Sequence, residues 1–285
     1  MGNIIVKEIK AKSKKMKVVI ERYSSAMEVV NDCRIRQITD ERFDDKSKET
    51  FGKWEGVKTY EDALDLMKNG YQPTVEKLKE KLKDMGNVGY QKRMRVVNNV
   101  VGGAPVVPLA MMGVPKSMID TKIKPIKCKV IDVYYDVTCS SSTDSNDIIR
   151  NGQKLLGAIL ELEQLGYKFN LYAVQTYSSE GSADTLVVKI KSSNQPLDLK
   201  RMSFPLTHTA FFRIIGFDWY SRCPKAKYRS AYGHALTYEL NKEELEEFTK
   251  EVYGDNALYI AGAKILYEDE QYIKEVLENF GKGKR

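Results

Sequence analysis

The run from Cys128 to Asp147, Cys-Lys-Val-Ile-Asp-Val-Tyr-Tyr-Asp-Val-Thr-Cys-Ser-Ser-Ser-Thr-Asp-Ser-Asn-Asp, constrains the fold more than any other part of the chain. Cys128 to Tyr135 is apolar, β-branched and aromatic, which predicts a buried strand. From Asp147 to Leu165 the residues Ile148, Gly152, Leu155, Leu156, Ile159 and Leu162 recur on one helical face, and Gly166 supplies the stop. A strand, a hydroxyl-rich turn and a long amphipathic helix form the repeating unit of an α/β sheet, where ligands collect at the carboxyl ends of strands. Asp136, Thr138 and Ser140 put one carboxylate and two hydroxyls on that turn. Such a donor set suits a hard cation, and Mg²⁺ is the expected cofactor if the turn binds one. A turn that merely caps the following helix accounts for the same residues without any ligand.

The remainder of the chain divides around this unit. Ile4 to Val6 is a short strand candidate, followed by the cluster Lys10, Lys12, Lys14, Lys15 and Lys17. From Ser24 to about Asp84 the pattern is helical: Thr59 caps a helix that ends at Asn69-Gly70, and Thr74 opens another. Residues 86–125 are rich in Gly and Pro yet carry the apolar stretches Val96 to Val101 and Ala104 to Met112, so a connecting segment packed between two layers is expected. That segment holds no phosphate-cradling glycine motif. After residue 126, strands are expected at Phe169 to Thr176 and Thr185 to Ile190, joined by a loop over 177–184. Ala210 to Ile215 reads as a short helix and Ala235 to Leu240 as a strand; Asn241 caps an acidic helix through Val252. Ala257 to Tyr267 reads as a strand and Glu270 to Phe280 as the closing helix. The expected organisation is a mainly helical N-terminal region (1–85), a packed Gly/Pro-rich connector (86–125) and an α/β domain (126–285).

Asp136-Val-Thr-Cys-Ser140 resembles the metal-ion-dependent adhesion site of von Willebrand factor A-like domains, whose first strand ends in Asp-x-Ser-x-Ser. The order of elements over about 126–280 is similar to that family as well. The resemblance implies a Rossmann-type sheet with helices on both faces, a metal at Asp136, Thr138 and Ser140, and a partner protein that supplies a carboxylate to it. The family also uses a threonine from a second loop, a place that Thr207 or Thr209 can fill, and a later Asp. No Asp stands at the end of Ala235 to Leu240, which departs from the pattern, and Asp218 is only a weak substitute. Three further phrases are similar to an uncharacterised group of tailed-phage proteins: Trp54 to Gly70, Val107 to Pro115 with Met118, and Phe204 to Phe217. They imply a viral origin and no particular reaction.

Length and charge bound what the chain can do. Its 285 residues allow one large domain or two small ones, and no apolar run approaches the roughly 20 residues that span a bilayer. The start Met1 to Lys7 lacks a signal peptide's pattern, and the four cysteines Cys33, Cys128, Cys139 and Cys223 lack zinc or disulfide spacing. The expected location is the cytoplasm, that of the host cell if the chain is viral. A net charge of +7 raises nucleic acid as a partner, with Lys10, Lys12, Lys14, Lys15 and Lys17 as the contacts, although the excess is diffuse. Cys139 as a nucleophile needs a base, and the two histidines are His208 and His234. Asp132 inside a buried strand either has a partner, for which Arg213 is a candidate, or lies on a partly exposed face. Phe211, Phe212, Phe217, Trp219 and Tyr220 read first as core covering a sheet face; at the surface they would form a protein-binding patch.

The leading expectation is a non-enzymatic protein-binding module that engages a host or defence protein or acts in assembly. The alternatives are a nucleic-acid-associated protein using the lysine cluster and a metal-dependent hydrolase centred on Asp136.

Overall fold

The computed structural model describes residues 2–11, 14–39, 52–85, 94–123, 130–140, 142–179, 181–223 and 235–283. Two strands come first, β1 (Asn3–Ala11) and β2 (Lys14–Tyr23), paired antiparallel. Three helices follow. They are α1 (Ala26–Ile35), α2 (Tyr60–Asn69) and α3 (Gln72–Met85). Residues 94–123 carry β3 (Met94–Asn99), β4 (Ala104–Pro105), α4 (Val107–Met111) and β5 (Met118–Ile123). Next come β6 (Val130–Asp136), α5 (Ser145–Gln164), β7 (Lys168–Ser179), β8 (Ser182–Lys191) and α6 (Leu199–Thr207). A π-helical turn (Phe211–Gly216) leads into α7 (Phe217–Ser221), and then α8 (Leu236–Glu239) and α9 (Lys242–Tyr253). The chain closes with β9 (Ala257–Ala261), a single 3₁₀ turn (Gly262–Lys264) and α10 (Glu270–Gly281).

The main sheet has six strands in the order β1-β2-β8-β7-β6-β9. Its β1–β2 and β7–β8 pairs are antiparallel, whereas β2–β8, β6–β7 and β6–β9 are parallel. This is a mixed α/β fold with helices against the sheet. Strand alternation decides which side chains go where. Along β6, Ile131, Val133 and Tyr135 enter the core shared with α1, α2, α3, α5, α6, α7 and α10, while Tyr134 enters a second core under α8 and α9. A strand buried on both faces is a near-continuous apolar run, which is what made β6 legible.

The capping residues work as expected where they are local. The Thr59 hydroxyl accepts the Asp62 N–H, the Asp62 carboxylate accepts the Thr59 N–H in return, and Gly70 ends α2 with φ of 79°. Asn241 and Glu244 form the same reciprocal box on α9. At α5 the cap is Asp144, whose Oδ1 accepts the Asn146 N–H at 2.7 Å. Close helix packing explains Gly152. A Cβ there would stand 2.1 Å from the Leu206 carbonyl oxygen and 2.8 Å from Thr207 Cα, both backbone atoms of α6.

Several expectations change. Residues 3–11 and 14–23 are not a prelude to a helical region; they form two strands of the main sheet, because the alternation Met16, Val18, Ile20 buries one face of β2 beside β8. The helix expected at Thr74 starts at Gln72, with Thr74 buried in its first turn. Residues 177–179 and 182–184 continue the ladder of β7 and β8. Ser178, Ser182 and Asp184 are buried, and Ser178 donates to the Ala235 carbonyl at 3.2 Å, so polarity did not mean loop. Residues 236–239 are helix and not strand: Leu236 and Leu240, four apart, both reach the second core. The strand expected over 257–267 stops at Ala261. Within the segment expected to lie packed between layers, residues 94–123 instead pair with one another as a three-stranded sheet in the order β3-β5-β4, and many of their apolar side chains are exposed.

Candidate functional site

Asp136 ends β6 between β7 and β9 and is fully buried. Its Oδ1 accepts the Thr138 N–H at 2.9 Å, and the Tyr259 hydroxyl of β9 donates to Oδ2. Burial pushes the carboxyl up to about 6 from its ordinary value near 3.8, and the hydrogen bonds from Thr138 and Tyr259 hold it from rising further. Thr138 is buried as well, and its Oγ1 accepts the Thr176 N–H of β7 at 2.8 Å. Ser140 lies nearer the surface, where its hydroxyl sits 2.9 Å from that of Ser142 and accepts the Ser142 N–H at 3.3 Å. The strand-end turn is thus closed on itself.

The second-loop hydroxyls are engaged elsewhere. Thr207 Oγ1 donates to the Ser203 carbonyl at 2.6 Å and lies 3.2 Å from Thr74 Oγ1, tying α6 to α3. Thr209 Oγ1 donates to the Trp54 carbonyl at 2.9 Å, while Trp54 Nε1 donates to the Thr143 carbonyl at 2.8 Å. Trp54 is therefore an anchor that ties residues before α2 to the loop before α5. A cavity of about 10 Å³ remains beside Thr138, Cys139 and Asn151, room for about one water. Asn151 Oδ1, buried and without a hydrogen-bond partner, belongs to the same lining. This arrangement does not fit Mg²⁺, which keeps several waters and recruits carboxylates. No group of three or more His, Cys, Asp or Glu side chains that could hold a metal occurs among the described residues.

The reactive groups are quenched by burial. Burial, with the Asp136 charge adding to it, pushes the Cys139 thiol up to about 12, so it stays protonated at neutral pH. Burial lowers His208 to about 4, which leaves it neutral; its Nδ1 accepts the Ala210 N–H at 3.2 Å and its ring meets Tyr71 edge-on at 4.6 Å. His234 lies outside the described residues, as do Cys128 and Lys12. Asp132 takes its hydrogen bond from Asn170 Nδ2 at 2.5 Å and not from Arg213. Arg213 instead lies over the Phe217 ring at 4.6 Å and pairs with Glu55 at 3.7 Å. Phe211, Phe212, Phe217, Trp219 and Tyr220 are all buried in the larger core.

The exposed feature is elsewhere. Every residue from Val100 to Pro115 is uncharged, and the stretch holds the connections on both sides of β4, including α4. Within it Val101 is 76% exposed, Met111 83% and Met112 69%, with Val100 and Val107 also exposed. Asn99 Nδ2 donates to Asp120 at 3.0 Å at the base of this tip. The signal was present in the sequence as a charge-free run. Its meaning was missed because apolar character alone does not distinguish a packed segment from a displayed one.

A protein family described as a domain of unknown function, DUF7192, matches residues 5–284. The chain belongs to this family. No curated protein and no solved structure matches it. The match begins within β1 and runs past α10, so the hairpin from Ile5 onward, the small sheet and the C-terminal helix fall within the DUF7192 span. Within this DUF7192 domain the lysine cluster lies on the β1–β2 hairpin, with Lys10 opposite Lys15 and Lys17 opposite Glu8. Lys14 pairs with Ala11 in the same ladder. No helix of the described residues is long and apolar enough to cross a membrane.

Proposed function

We propose that this DUF7192 domain is a non-enzymatic protein-binding module and that the uncharged tip at 100–115 is its contact surface. The observation that carries the reading is the exposure of Val100, Val101, Val107, Met111 and Met112 together on one short stretch. Soluble proteins rarely leave a contiguous apolar patch in water unless it meets a partner. Methionine suits such a surface because its flexible thioether adapts to the shape it meets. The strand-end turn supports a non-catalytic reading: Asp136, Cys139 and His208 are buried, the Cys139 thiol stays protonated at neutral pH and the His208 ring stays neutral.

A von Willebrand factor A-like sheet is the architecture we propose behind it. The support is the order β8-β7-β6-β9, with a hairpin of β7 and β8 beside a central β6 and β9 parallel on its other side. In this reading the Asp136 turn serves as the sheet's structural lock.

The test is affinity capture on the full chain, comparing it with Val101→Asp combined with Met111→Glu. Both side chains are exposed, so the double variant keeps the fold. A partner retained at high salt by the parent and lost by the variant is expected, because apolar burial survives screening. An identical set of captured proteins from both would refute the assignment of the tip. A second reading has one observation in its favour, the gathering of Lys10, Lys14, Lys15 and Lys17 toward the end of the β1–β2 hairpin. Nucleic acid bound there must dissociate steeply with salt, since each neutralised phosphate releases counterions.

A further inference from the structure

The β9 edge of the main sheet is recessed. β9 is an outer strand; α9 precedes it and α10 follows it, and the two helices pack into the cores on opposite faces of the sheet. Between them a slot of about 370 Å³ opens along Ala257, Leu258 and Tyr259. The Asp132 N–H donates to the Asn256 carbonyl at 3.0 Å, which sets the phase of the parallel ladder. Leu258 and Ile260 then exchange bonds with β6, and the amide and carbonyl of Tyr259 and the amide of Ala261 point outward. The Ala257 amide, which shares that direction, is taken by the Gly254 carbonyl at 3.1 Å. The opposite outer strand, β1, carries Lys7 and Glu8, charged residues of the kind that discourage pairing at an edge. β9 reads Ala-Leu-Tyr-Ile-Ala and carries no charge at all.

We propose that this slot accepts an extended segment of a partner protein as a seventh strand, with acidic side chains four residues apart. The occupant follows from the walls. Lys242, Glu246 and Lys250 form one stripe of α9 along the slot, while Tyr272, Val276 and Phe280 of α10 make the opposite wall apolar. Eight helical residues separate the two lysines by about 12 Å. A strand covers about that distance in four residues and returns to the same face. Two acids four apart therefore meet Lys242 and Lys250, an uncharged polar residue midway avoids Glu246, and the alternate apolar side chains face α10. A second copy's β9 cannot be the occupant, because it is recessed between its own helices. This site is independent of the tip at 100–115.

The experiment selects nine-residue displayed peptides against the full chain. One library has a central acid-apolar-serine-apolar-acid pattern with the apolar positions randomised; its control carries lysine in place of both acids. Binders are expected from the acidic library alone, and the best synthetic member should slow hydrogen exchange at the Tyr259 and Ala261 amides. Ala261→Pro removes one outward amide at a φ of −81°, close to what proline adopts, and leaves the ladder to β6 intact. It should weaken binding about tenfold, the usual effect of one net hydrogen bond plus imperfect docking. Lys242→Glu with Lys250→Glu should transfer enrichment to the lysine library. Val276→Arg, on the α10 wall, should abolish binding and decides the matter if Ala261→Pro fails to fold. No binder from the acidic library, or a binder indifferent to both Ala261→Pro and Val276→Arg, overturns the proposal. So does self-association of the chain that Ala261→Pro removes. None of these variants touches the tip, so capture through residues 100–115 stands or fails separately.

Discussion

Replacing Asp136 by Asn should stabilise the fold at neutral pH relative to the parent, and the size of the gain should depend on pH in a defined way. Asp136 is fully buried, and its folded pKa stands at about 6 against 3.8 when free. A raised folded pKa means that the native state holds the proton more tightly than the unfolded chain does. The associated stability is fully present below the unfolded value and is lost as pH rises through the folded one. The full loss is about 3 kcal/mol at 1.36 kcal/mol per pKa unit, and about 2 kcal/mol of it falls between pH 4.5 and 7. Asn at this position keeps an oxygen for the Thr138 N–H, and its amide can donate to Tyr259, so shape and hydrogen bonding are retained. Urea unfolding of both proteins at pH 4.5, 5.5, 6.5 and 7.5 supplies the assay. The stability difference between parent and variant isolates this group, because the other carboxylates cancel. The parent should lose about 2 kcal/mol relative to Asp136→Asn across that range and nothing further above it. A difference that is flat with pH, or one in which the parent gains on the variant as pH rises, would refute a buried carboxyl held against its charge.

Two further outcomes follow from packing and from the donor set. Gly152→Ala should destabilise by about 1–3 kcal/mol despite alanine's better helix propensity, because the clash is with backbone of α6 that cannot rotate away; an unchanged urea midpoint would show that α5 and α6 are not in such close contact. Millimolar Mg²⁺ or Mn²⁺ should leave the melting temperature where it is, since a ligand stabilises only by binding the native state and the oxygens of Asp136 and Thr138 are already committed. A rise that Asp136→Ala abolishes would restore the metal reading of the turn.

The sequence alone determined those elements whose signals are local. β6 was legible because a strand covered on both faces must be apolar throughout, and α5 because its buried face repeats every three to four residues over twenty. Thr59 and Asn241 announced α2 and α9, since a cap acts on amides two or three residues away. The aromatic cluster from Phe211 to Tyr220 was recognisably core. Tertiary structure decided everything that depends on partners distant in the chain. Asp136 carries the same Asp-x-Thr-x-Ser pattern whether it faces solvent or not; what buries it is the pairing of β6 with β7 and β9, with Tyr259 reaching it from 123 residues away. Leu236 to Leu240 took helical form because two leucines four apart meet the second core. Val100 to Pro115 reads as apolar in one dimension, and only the self-pairing of the small sheet turns its side chains outward. The β9 slot has no sequence signature at all, because it is the gap between two helices on opposite faces of a sheet edge, and hydrophobic patterning records how much a residue prefers burial but not which neighbour provides it.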